Sequence, residues 1–373
     1  MKSRDIPTPA LVVDLRAMER NIERMARYFA ERHCKLRPHF KAHKTPAIAR
    51  RQLAAGSCTG LTVATIGEAE LIAEQGVCDD VLIANEILGP GKAARAARVA
   101  KQIDLKVAID SDETLDDLAR AARAEGTEIG VLVEVNMIRV RCGVRRGEPA
   151  LELARRVGET EGVRLRGLMG YEAHVMSIED RAEREAEVAR VMPRLLDTMQ
   201  LVREEGLPCE IVSAGGTGTF DITGALEGIT EIQAGSYVLM DTAYAKLDTP
   251  FELALSVLGT VLARHRPEIC VADCGHKACT QDHGYPDVKG IDGAEVVFLH
   301  DEHASITLPP ESTIRPGDRI ELWPSHIDPT INLHDVLFAV DGDEVVEVWP
   351  VAGRGYREQR TLLPEPAEGK VER

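Results

Sequence analysis

The sequence predicts an α/β protein, a (β/α)8 TIM barrel with a second, mostly β domain. Between residues 36 and 233, short runs rich in Val, Ile and Leu alternate about eight times with helix-like segments that carry Glu and Arg. This alternation is typical of parallel strands joined by helices, and about eight units match a closed barrel. No GxGxxG follows the first strand, which argues against a dinucleotide-binding sheet. After about Tyr244, short strand-like runs separated by Gly, Pro and Asp indicate an all-β domain.

The individual elements follow in chain order. A strand at 7–14 and a helix at 15–31 precede the barrel. The predicted barrel strands are 36–42, 60–64, 80–85, 105–110, 129–136, 165–171, 210–214 and 230–233. The predicted helices between them are 46–55, 67–75, 91–101, 112–124, 149–157 and a long one at 178–204. The strands of the second domain are 254–263, 269–272, 294–298, 305–307, 319–322, 335–340 and 344–349.

These elements divide the chain into domains. We expect a cofactor-binding barrel at 12–244 and a β domain formed by 1–11 and 245–360. The strand at 7–14 is a candidate to join the β domain rather than the barrel. The polar, Pro- and Glu-rich segment 361–373 is expected to be a frayed tail.

Composition excludes several classes of partner. The chain of 373 residues has 45 basic and 61 acidic residues, a net charge of −16, which argues against nucleic acid and anionic membranes. No apolar run has the length of a bilayer span, and the N-terminus lacks a signal-peptide core, so we expect a cytoplasmic protein. The eight cysteines form no CxxC pair and are expected to be reduced. Cys270, Cys274 and Cys279 fit no usual zinc spacing.

Lys41 is the first candidate for chemistry. It lies between His39 and His43 in RPHFKAHK, and in an extended strand this spacing puts all three side chains on one face. Such a lysine is either a salt-bridging surface residue or a Schiff-base nucleophile, whose lowered pKa neighbouring cationic groups help to supply. Its position after the first barrel strand, at the end where barrel enzymes carry their active sites, favours the nucleophile.

Two glycine-rich loops predict a phosphate site. SAGGTGT at 213–219 and AGSY at 234–237 follow the seventh and eighth strands, where barrels often bind phosphate through backbone N–H groups. The alternative is that both are ordinary turns. A phosphate cradle and a reactive lysine together suggest pyridoxal 5′-phosphate, with Arg141 available to its ring oxygen unless that arginine is a surface ion pair. The predicted cofactor-binding residues are Lys41, Arg141, Tyr171, Ser213, Gly216, Thr217, Gly235, Ser236 and Tyr237.

His326 and Asp328 predict a metal site in the second domain. They are two residues apart in PSHID, hence on one face if the segment is extended. An imidazole and a carboxylate suit Mn²⁺, Zn²⁺ or Mg²⁺, and two protein ligands leave positions open for substrate. The alternative is a turn in which Asp328 caps the chain before Pro329.

With these motifs, the chain resembles the D-threonine aldolase and D-serine dehydratase group of fold-type III pyridoxal-phosphate enzymes, which are related to alanine racemase. The resemblance runs from Pro7 to about Pro350, and it is carried by RPHFKAHK, RVRCGV, GYEAH, SAGGTGT, QAGSY and PSHID. It implies an alanine racemase-like barrel with a β domain, Lys41 as the Schiff-base lysine, His326 and Asp328 as metal ligands, and a homodimer.

The resemblance also favours one reaction. Dehydratase-like members generally carry a zinc-binding cysteine where this chain has Asp328, whereas the aldolases carry aspartate and favour Mn²⁺, in agreement with ligand softness. We therefore expect a lyase that cleaves a D-3-hydroxy amino acid to glycine and an aldehyde, with His174, His43 or a hydroxide on the metal as base. Val140 replaces an Asn common in relatives, which leaves the substrate range open.

Three other functions remain open. Dehydration of a D-3-hydroxy amino acid would release ammonia and a keto acid from the same scaffold. Racemisation needs proton transfer on two sides and no metal. A pyridoxal-phosphate carrier would be the barrel alone, and the predicted β domain argues against it.

Overall fold

The computed structural model describes residues 1–138 and 140–360, so the predicted tail at 361–373 lies outside the described residues. The chain opens with β1 (Ala10–Asp14) and α1 (Leu15–Phe29). Asp14, the residue before the helix, caps its amino-terminal end, because its carboxylate accepts a hydrogen bond of 3.0 Å from the backbone N–H of Ala17. Helix α1 connects β1 to the barrel, but β1 itself is not a barrel strand.

The barrel is the predicted one. Its strands are β2 (Lys35–Leu36), β3 (Leu61–Val63), β4 (Asp80–Glu86), β5 (Asp104–Ile109), β6 (Ile129–Glu134), β7 (Val163–Met169), β8 (Ile211–Ala214) and β9 (Glu231–Ile232). They are all parallel, in the order β2-β9-β8-β7-β6-β5-β4-β3. Parallel bridges from Leu36 to Cys58 and from His39 to Thr62 join the first strand segment to the second and close the ring.

Helices surround this ring. They are α2 (Pro46–Ala54), α3 (Ile66–Glu74), α4 (Pro90–Ala100), α5 (Asp112–Glu125), α6 (Glu148–Gly158), α7 (Arg181–Val191) and α8 (Pro193–Glu204). Three of them begin with proline and α6 has Pro149 as its second residue; proline has no N–H to leave unpaired in the first turn. The long helix predicted at 178–204 is wrong as a single element, because Pro193 cannot donate to the preceding turn and divides it into α7 and α8.

The second domain is built on one nine-stranded sheet. After the short α9 (Thr242–Ala245) come β10 (Leu255–Arg266), β11 (Ile269–Ala272), β12 (Asp287–Val288), β13 (Glu295–Leu299), β14 (Ala304–Thr307) and β15 (Arg319–Trp323). Then follow α10 (Ile327–Asn332), β16 (Val336–Asp341), β17 (Glu344–Pro350) and α11 (Arg357–Arg360). The sheet order is β11-β14-β13-β12-β15-β10-β1-β16-β17. Only the two-residue β12 has no counterpart among the predicted strands.

Strand β1 lies inside this second sheet. It pairs antiparallel with β10 and parallel with β16 along its length, so residues 10–14 belong to the sheet of the second domain. The first barrel strand is also shorter than predicted, because the chain after Leu36 leaves the strand and forms a 3-10 turn at Phe40–Ala42.

Charged residues cross-link the strands at the amino-terminal part of the barrel. Arg37, 1% exposed, donates to the carboxylate of Glu231 at 2.8 Å and also pairs with Asp80. The fully buried Lys106 pairs with Asp80 at 2.9 Å and with Asp104 at 2.8 Å. Among the helices that the structure describes, none combines the length and the apolar character needed to cross a membrane.

Candidate active site

A cavity of about 490 Å³ lies where the carboxyl ends of the barrel strands face the second domain. Its volume is within the range of small-molecule sites, roughly 300–1,000 Å³. Nine of the predicted site residues line it: Lys41, Arg141, Tyr171, Gly216, Thr217, Gly235, Ser236, His326 and Asp328. The barrel loops supply the first seven and the second domain supplies the last two, so the two predicted constellations share one space.

Lys41 sits in the 3-10 turn at Phe40–Ala42, not in an extended strand as the spacing suggested. The turn forms because the backbone N–H groups of Ala42 and His43 donate to the carbonyls of His39 and Phe40. The half-buried side chain of Lys41 makes no hydrogen bond or ion pair with any residue in 1–138 or 140–360. Its amine is therefore available to a ligand in the cavity.

The two histidines beside Lys41 have different surroundings. His39 lines the cavity, its buried Nδ1 has no hydrogen-bond partner among the described residues, and burial holds its pKa well below the usual value. His43 is fully buried and does not line the cavity. Its Nδ1 accepts a hydrogen bond of 3.1 Å from the N–H of Thr45, and its Nε2 lies 3.0 Å from Oε1 of Gln52. Burial lowers the pKa of His43 to about 4, so this ring is neutral and supports the fold locally.

The two glycine-rich loops provide free backbone donors. The N–H groups of Thr217, Gly218, Gly235 and Ser236 donate to no acceptor in the part of the chain that the structure describes. A side chain at position 235 would place its Cβ 3.0 Å from Cβ of Ala42 and 3.0 Å from the carbonyl oxygen of His39. Gly215 has φ +69°, which favours glycine. Close-packed loops with unpaired N–H groups fit a phosphate, in keeping with the cradle that the sequence predicts.

Arg141 and two tyrosines form another wall of the cavity. The guanidinium carbon of Arg141 lies 5.3 Å from the ring centroid of Tyr171, within cation–π distance. Tyr171 and Tyr244 are neighbours, and burial raises the pKa of Tyr171 to about 12 and that of Tyr244 well above its usual value. Both phenols therefore stay protonated at neutral pH and can donate to an anionic group.

Two carboxyl groups lie close to the Arg141 loop. Glu134, at the end of β6, is 4% exposed and lies near Glu86 at the end of β4. Burial first, and then the charge of Glu86, raises the pKa of Glu134 to about 8, although Arg141 opposes the shift. Glu134 is therefore largely protonated at neutral pH.

Side chains of the second domain that could ligate a metal gather at another part of the cavity wall. Ligand atoms of Asp282, His283 and His326 all lie within 4.8 Å of one another, and Nδ1 of His326 is 2.5 Å from Oδ2 of Asp282. The rings of His283 and His326 are stacked with their centroids 4.0 Å apart. Oδ1 of Asp328 is buried and has no hydrogen-bond partner among the described residues. Imidazoles with carboxylates, one of them holding an unpaired buried oxygen, fit a divalent cation.

The backbone around this pair differs from the extended segment that the sequence suggested. His326 is extended, with φ −150° and ψ 116°, but it is the residue before α10, and Asp328 lies in the first turn of that helix. Asp241 fixes the junction, since its carboxylate accepts hydrogen bonds from the N–H groups of Ile327 at 3.1 Å and Tyr244 at 2.9 Å. His326 and Asp328 thereby reach the same cavity.

Three further predicted residues do not line the cavity. His174 contacts Oε1 of Glu187 at 2.6 Å, although its neighbour Ala173 reaches the cavity wall. The hydroxyl of Ser213 accepts from Gln233, and the buried hydroxyl of Tyr237 accepts from Gln52 at 2.9 Å. With His43, these side chains lie behind the cavity wall.

Sequence reasoning missed several residues of the wall. The cavity also includes His39, Gln233, Tyr244 and His283, which come from four separate segments. The sequence signal for His39 is its position two residues before Lys41. His283 had only a weak one, because it is one of several histidines in the second domain.

Comparisons with known proteins agree with this architecture. Residues 13–243 match the family model "Alanine racemase, N-terminal domain", and residues 254–340 match "Putative serine dehydratase domain". A D-threonine aldolase of Arthrobacter sp is 37% identical over 358 residues, covering 94% of this chain and 93% of the relative. A 3-hydroxy-D-aspartate aldolase of Paracoccus denitrificans is 32% identical over 365 residues, covering 95% and 94%.

A solved structure gives the same result. The crystal structure of D-threonine aldolase from Filomicrobium marinum superimposes with a TM-score of 0.92 at 38% sequence identity, covering 95% of this chain and 97% of that one. The similarity therefore includes the barrel, the second domain and their arrangement around the cavity.

Proposed function

This chain belongs to the alanine racemase-fold family that includes D-threonine aldolase, and from that premise we propose that it cleaves D-3-hydroxy amino acids to glycine and an aldehyde. It is accordingly a carbon–carbon lyase. One observation carries the proposal: a free lysine amine, two donor-rich glycine loops and an imidazole–carboxylate cluster line the same cavity of about 490 Å³. An aldol cleavage that depends on pyridoxal 5′-phosphate and a metal would use such an amine, anion site and Lewis acid together.

Pyridoxal 5′-phosphate fits the barrel side of this cavity. The amine of Lys41 would hold its aldehyde, and the free N–H groups of Thr217 and Ser236 would hold its phosphate. Arg141 would donate to its ring oxygen, and Tyr171 would help to close the wall. When bound, this cofactor supplies an electron sink for the electron pair left at Cα when the Cα–Cβ bond breaks.

A divalent cation fits the side of the second domain. His326 and Asp328 would hold it, with Asp282 and His283 close enough to assist directly or by orienting His326. When bound, the cation supplies a Lewis acid for the 3-hydroxyl group of the substrate. We propose Mn²⁺, because carboxylate and imidazole ligands with no thiolate favour it over Zn²⁺.

Two of the histidines that line the cavity, His39 and His283, are candidate proton acceptors. Burial lowers the pKa of both, so each imidazole is in its neutral form at pH 7 and carries an acceptor nitrogen. We propose that one of them accepts the proton of the 3-hydroxyl group. His43 and His174, expected as bases from the sequence, would then act behind the wall by holding neighbouring side chains in place.

One assay tests the function. The purified protein is supplied with pyridoxal 5′-phosphate and incubated with D-threonine, L-threonine or D-serine, with and without Mn²⁺, and the products are identified. We expect glycine and acetaldehyde from D-threonine only, with a strong dependence on Mn²⁺. Lys41→Ala should abolish both the visible absorbance of the bound cofactor and the activity. Unchanged aldol cleavage after chelation or in Asp328→Ala would contradict the metal role.

Dehydration is the second candidate, and the match of residues 254–340 to a serine dehydratase domain favours it. The same cavity would then release ammonia and a keto acid instead of glycine and an aldehyde. Asp328 weighs against this reaction, because a carboxylate at the metal differs from the thiolate expected of the dehydratases. Ammonia and pyruvate from D-serine, in the same assay, would decide for dehydration.

Two finer features complete the proposal. We propose a homodimer, supported by the exposed apolar side chains of Val297 and Phe298 on the second domain. Light scattering of the purified protein measures this directly, and a monomer at micromolar concentration would contradict it. We also propose a cytoplasmic location, in keeping with cysteines that are all free in the structure.

A further inference from the structure

Glu172 is a carboxylate buried directly behind the glycine-rich loop 215–219. The residue is 0% exposed and follows Tyr171, a residue of the cavity wall. Its Oε2 accepts a hydrogen bond of 3.2 Å from the backbone N–H of Gly215. Its Oε1 accepts hydrogen bonds from the hydroxyl groups of Thr219 at 2.9 Å and Thr223 at 2.6 Å. One side chain therefore holds both ends of the loop.

The carboxylate also sets the direction of the other donors in the loop. Because Thr219 gives its hydroxyl proton to Glu172, its oxygen is left to accept the N–H of Gly216, at 3.2 Å. The N–H groups of Gly215 and Gly216 are thereby bound on the Glu172 side. Those of Thr217 and Gly218 donate to nothing within the described chain, and Thr217 lines the cavity. Glu172 thus separates the donors used to build the loop from the donors left for a ligand.

A carboxylate buried at this position lowers the stability of the fold unless other interactions offset its desolvation. No lysine, arginine or histidine in residues 1–138 and 140–360 forms an ion pair with Glu172, so hydrogen bonds alone offset its desolvation. Its negative charge also lies next to a loop that suits an anion. Neither feature improves stability over a neutral side chain that fills the same space.

We propose that Glu172 is a positioning residue for the cofactor's phosphate group: it fixes the loop so that the N–H groups of Thr217 and Gly218 are presented to the anion. The inference rests on the proposed function, because it takes the phosphate to belong to pyridoxal 5′-phosphate. It predicts that Glu172 acts on the phosphate end of the cofactor and leaves the aldehyde end at Lys41 unaffected.

The test compares two ligands of the cofactor-free protein, pyridoxal 5′-phosphate and pyridoxal, which lacks the phosphate. Absorbance titration gives both dissociation constants for the wild-type protein and for Glu172→Gln. Glutamine has the same size but only one acceptor oxygen, so it cannot accept from Gly215 and from both threonine hydroxyls. We expect the dissociation constant for pyridoxal 5′-phosphate to rise about tenfold or more, the scale of losing a hydrogen bond to a charged group, while that for pyridoxal changes less than about twofold.

Three further variants separate positioning from general stability. Glu231→Gln removes another buried carboxylate of the barrel, one that binds Arg37 and makes no hydrogen bond to residues 215–219 in the described structure, and should lower the melting temperature without changing the preference for the phosphorylated ligand. Thr223→Val removes one hydroxyl donor to Glu172 and should reduce the preference, whereas Thr223→Ser should restore it. The threonine variants decide the matter if Glu172→Gln does not fold.

Each outcome has one meaning. A wild-type protein that binds pyridoxal as tightly as its phosphate would overturn the phosphate cradle and the cofactor assignment with it. A wild-type preference that persists in Glu172→Gln, or in Thr223→Val if the first variant does not fold, would overturn the role of Glu172 alone. Equal weakening of both ligands would assign Glu172 to the general stability of the barrel and would also overturn the inference.

Discussion

Glu134 gives the protein a pH-dependent stability that can be worked out from the structure. Its pKa rises from 4.5 to about 8, chiefly through burial, so the folded protein holds a proton that the unfolded chain has already lost. The stabilising contribution is therefore fully present below pH 4.5 and is lost as the pH rises towards 8. At about 1.4 kcal/mol per pKa unit, the shift corresponds to at most ~4–5 kcal/mol. Since the neighbouring Glu86 contributes to the shift and Arg141 opposes it, we expect about half of this.

Glu134→Gln is the direct perturbation. The amide can donate to Glu86 as the protonated acid does, but it cannot ionise. We expect the free energy of unfolding, measured in urea, to match that of the wild type at pH 5 and to exceed it by about 2 kcal/mol at pH 8.5. Glu113→Gln, which changes an exposed carboxylate on α5, serves as the control and should leave the pH dependence unchanged.

The result that refutes this reasoning is a pH dependence that is parallel in the wild type and in Glu134→Gln. Glu134 would then ionise in the folded protein as it does in the unfolded chain.

The remaining predictions concern three other parts of the molecule. His43→Leu should lower the free energy of unfolding by ~2–4 kcal/mol, because the N–H of Thr45 and Oε1 of Gln52 lose their partner, and the pH profile of kcat/KM should not move. A lost acid limb in that profile would instead make His43 catalytic. Mn²⁺ at 100 times its Kd should stabilise the protein by about 2.7 kcal/mol, or ~3 °C in a thermal scan, and Asp328→Ala should abolish the shift; equal shifts in both proteins would place the ion elsewhere. Arg37→Met should cost ~3–5 kcal/mol in urea unfolding, because two carboxylates lose the cation between them, and a loss below 1 kcal/mol would show that water replaces it.

Much of the fold could be predicted because it depends on local periodicity. Apolar runs buried on both faces alternate with amphipathic helices, and this pattern is enough to indicate a barrel of parallel strands. Local periodicity does not report where a strand stops. The segment after Leu36 has the composition of a strand, yet backbone hydrogen bonds to His39 and Phe40 turn it into a short helix. The single helix predicted at 178–204 is wrong for a simpler reason. Pro193 has no N–H to donate to the preceding turn, so the helix divides there.

The site was predictable where its residues share a motif. Lys41 and the two glycine-rich loops were placed at the cavity by the rule that barrel sites lie after the strands. The direction of a ring is a tertiary property, so the sequence could not tell that His39 faces the cavity while His43 turns to Gln52. His283 and His326 are more than forty residues apart in the chain and meet only in the folded protein, so no spacing rule predicts their contact.

Strand β1 has a consequence for any attempt to divide the protein. It contributes a central strand to the sheet that carries the metal-side residues, yet its partners in β10 and β16 lie more than 240 positions later in the chain. A fragment that starts after α1 would keep His326 and Asp328 but lose the strand between those partners, exposing unpaired backbone on both. The barrel side and the second-domain side of the cavity therefore cannot be produced as two consecutive fragments of the chain. An autonomous second domain would need residues 1–14 to be joined to the chain after β17, as in a circular permutation.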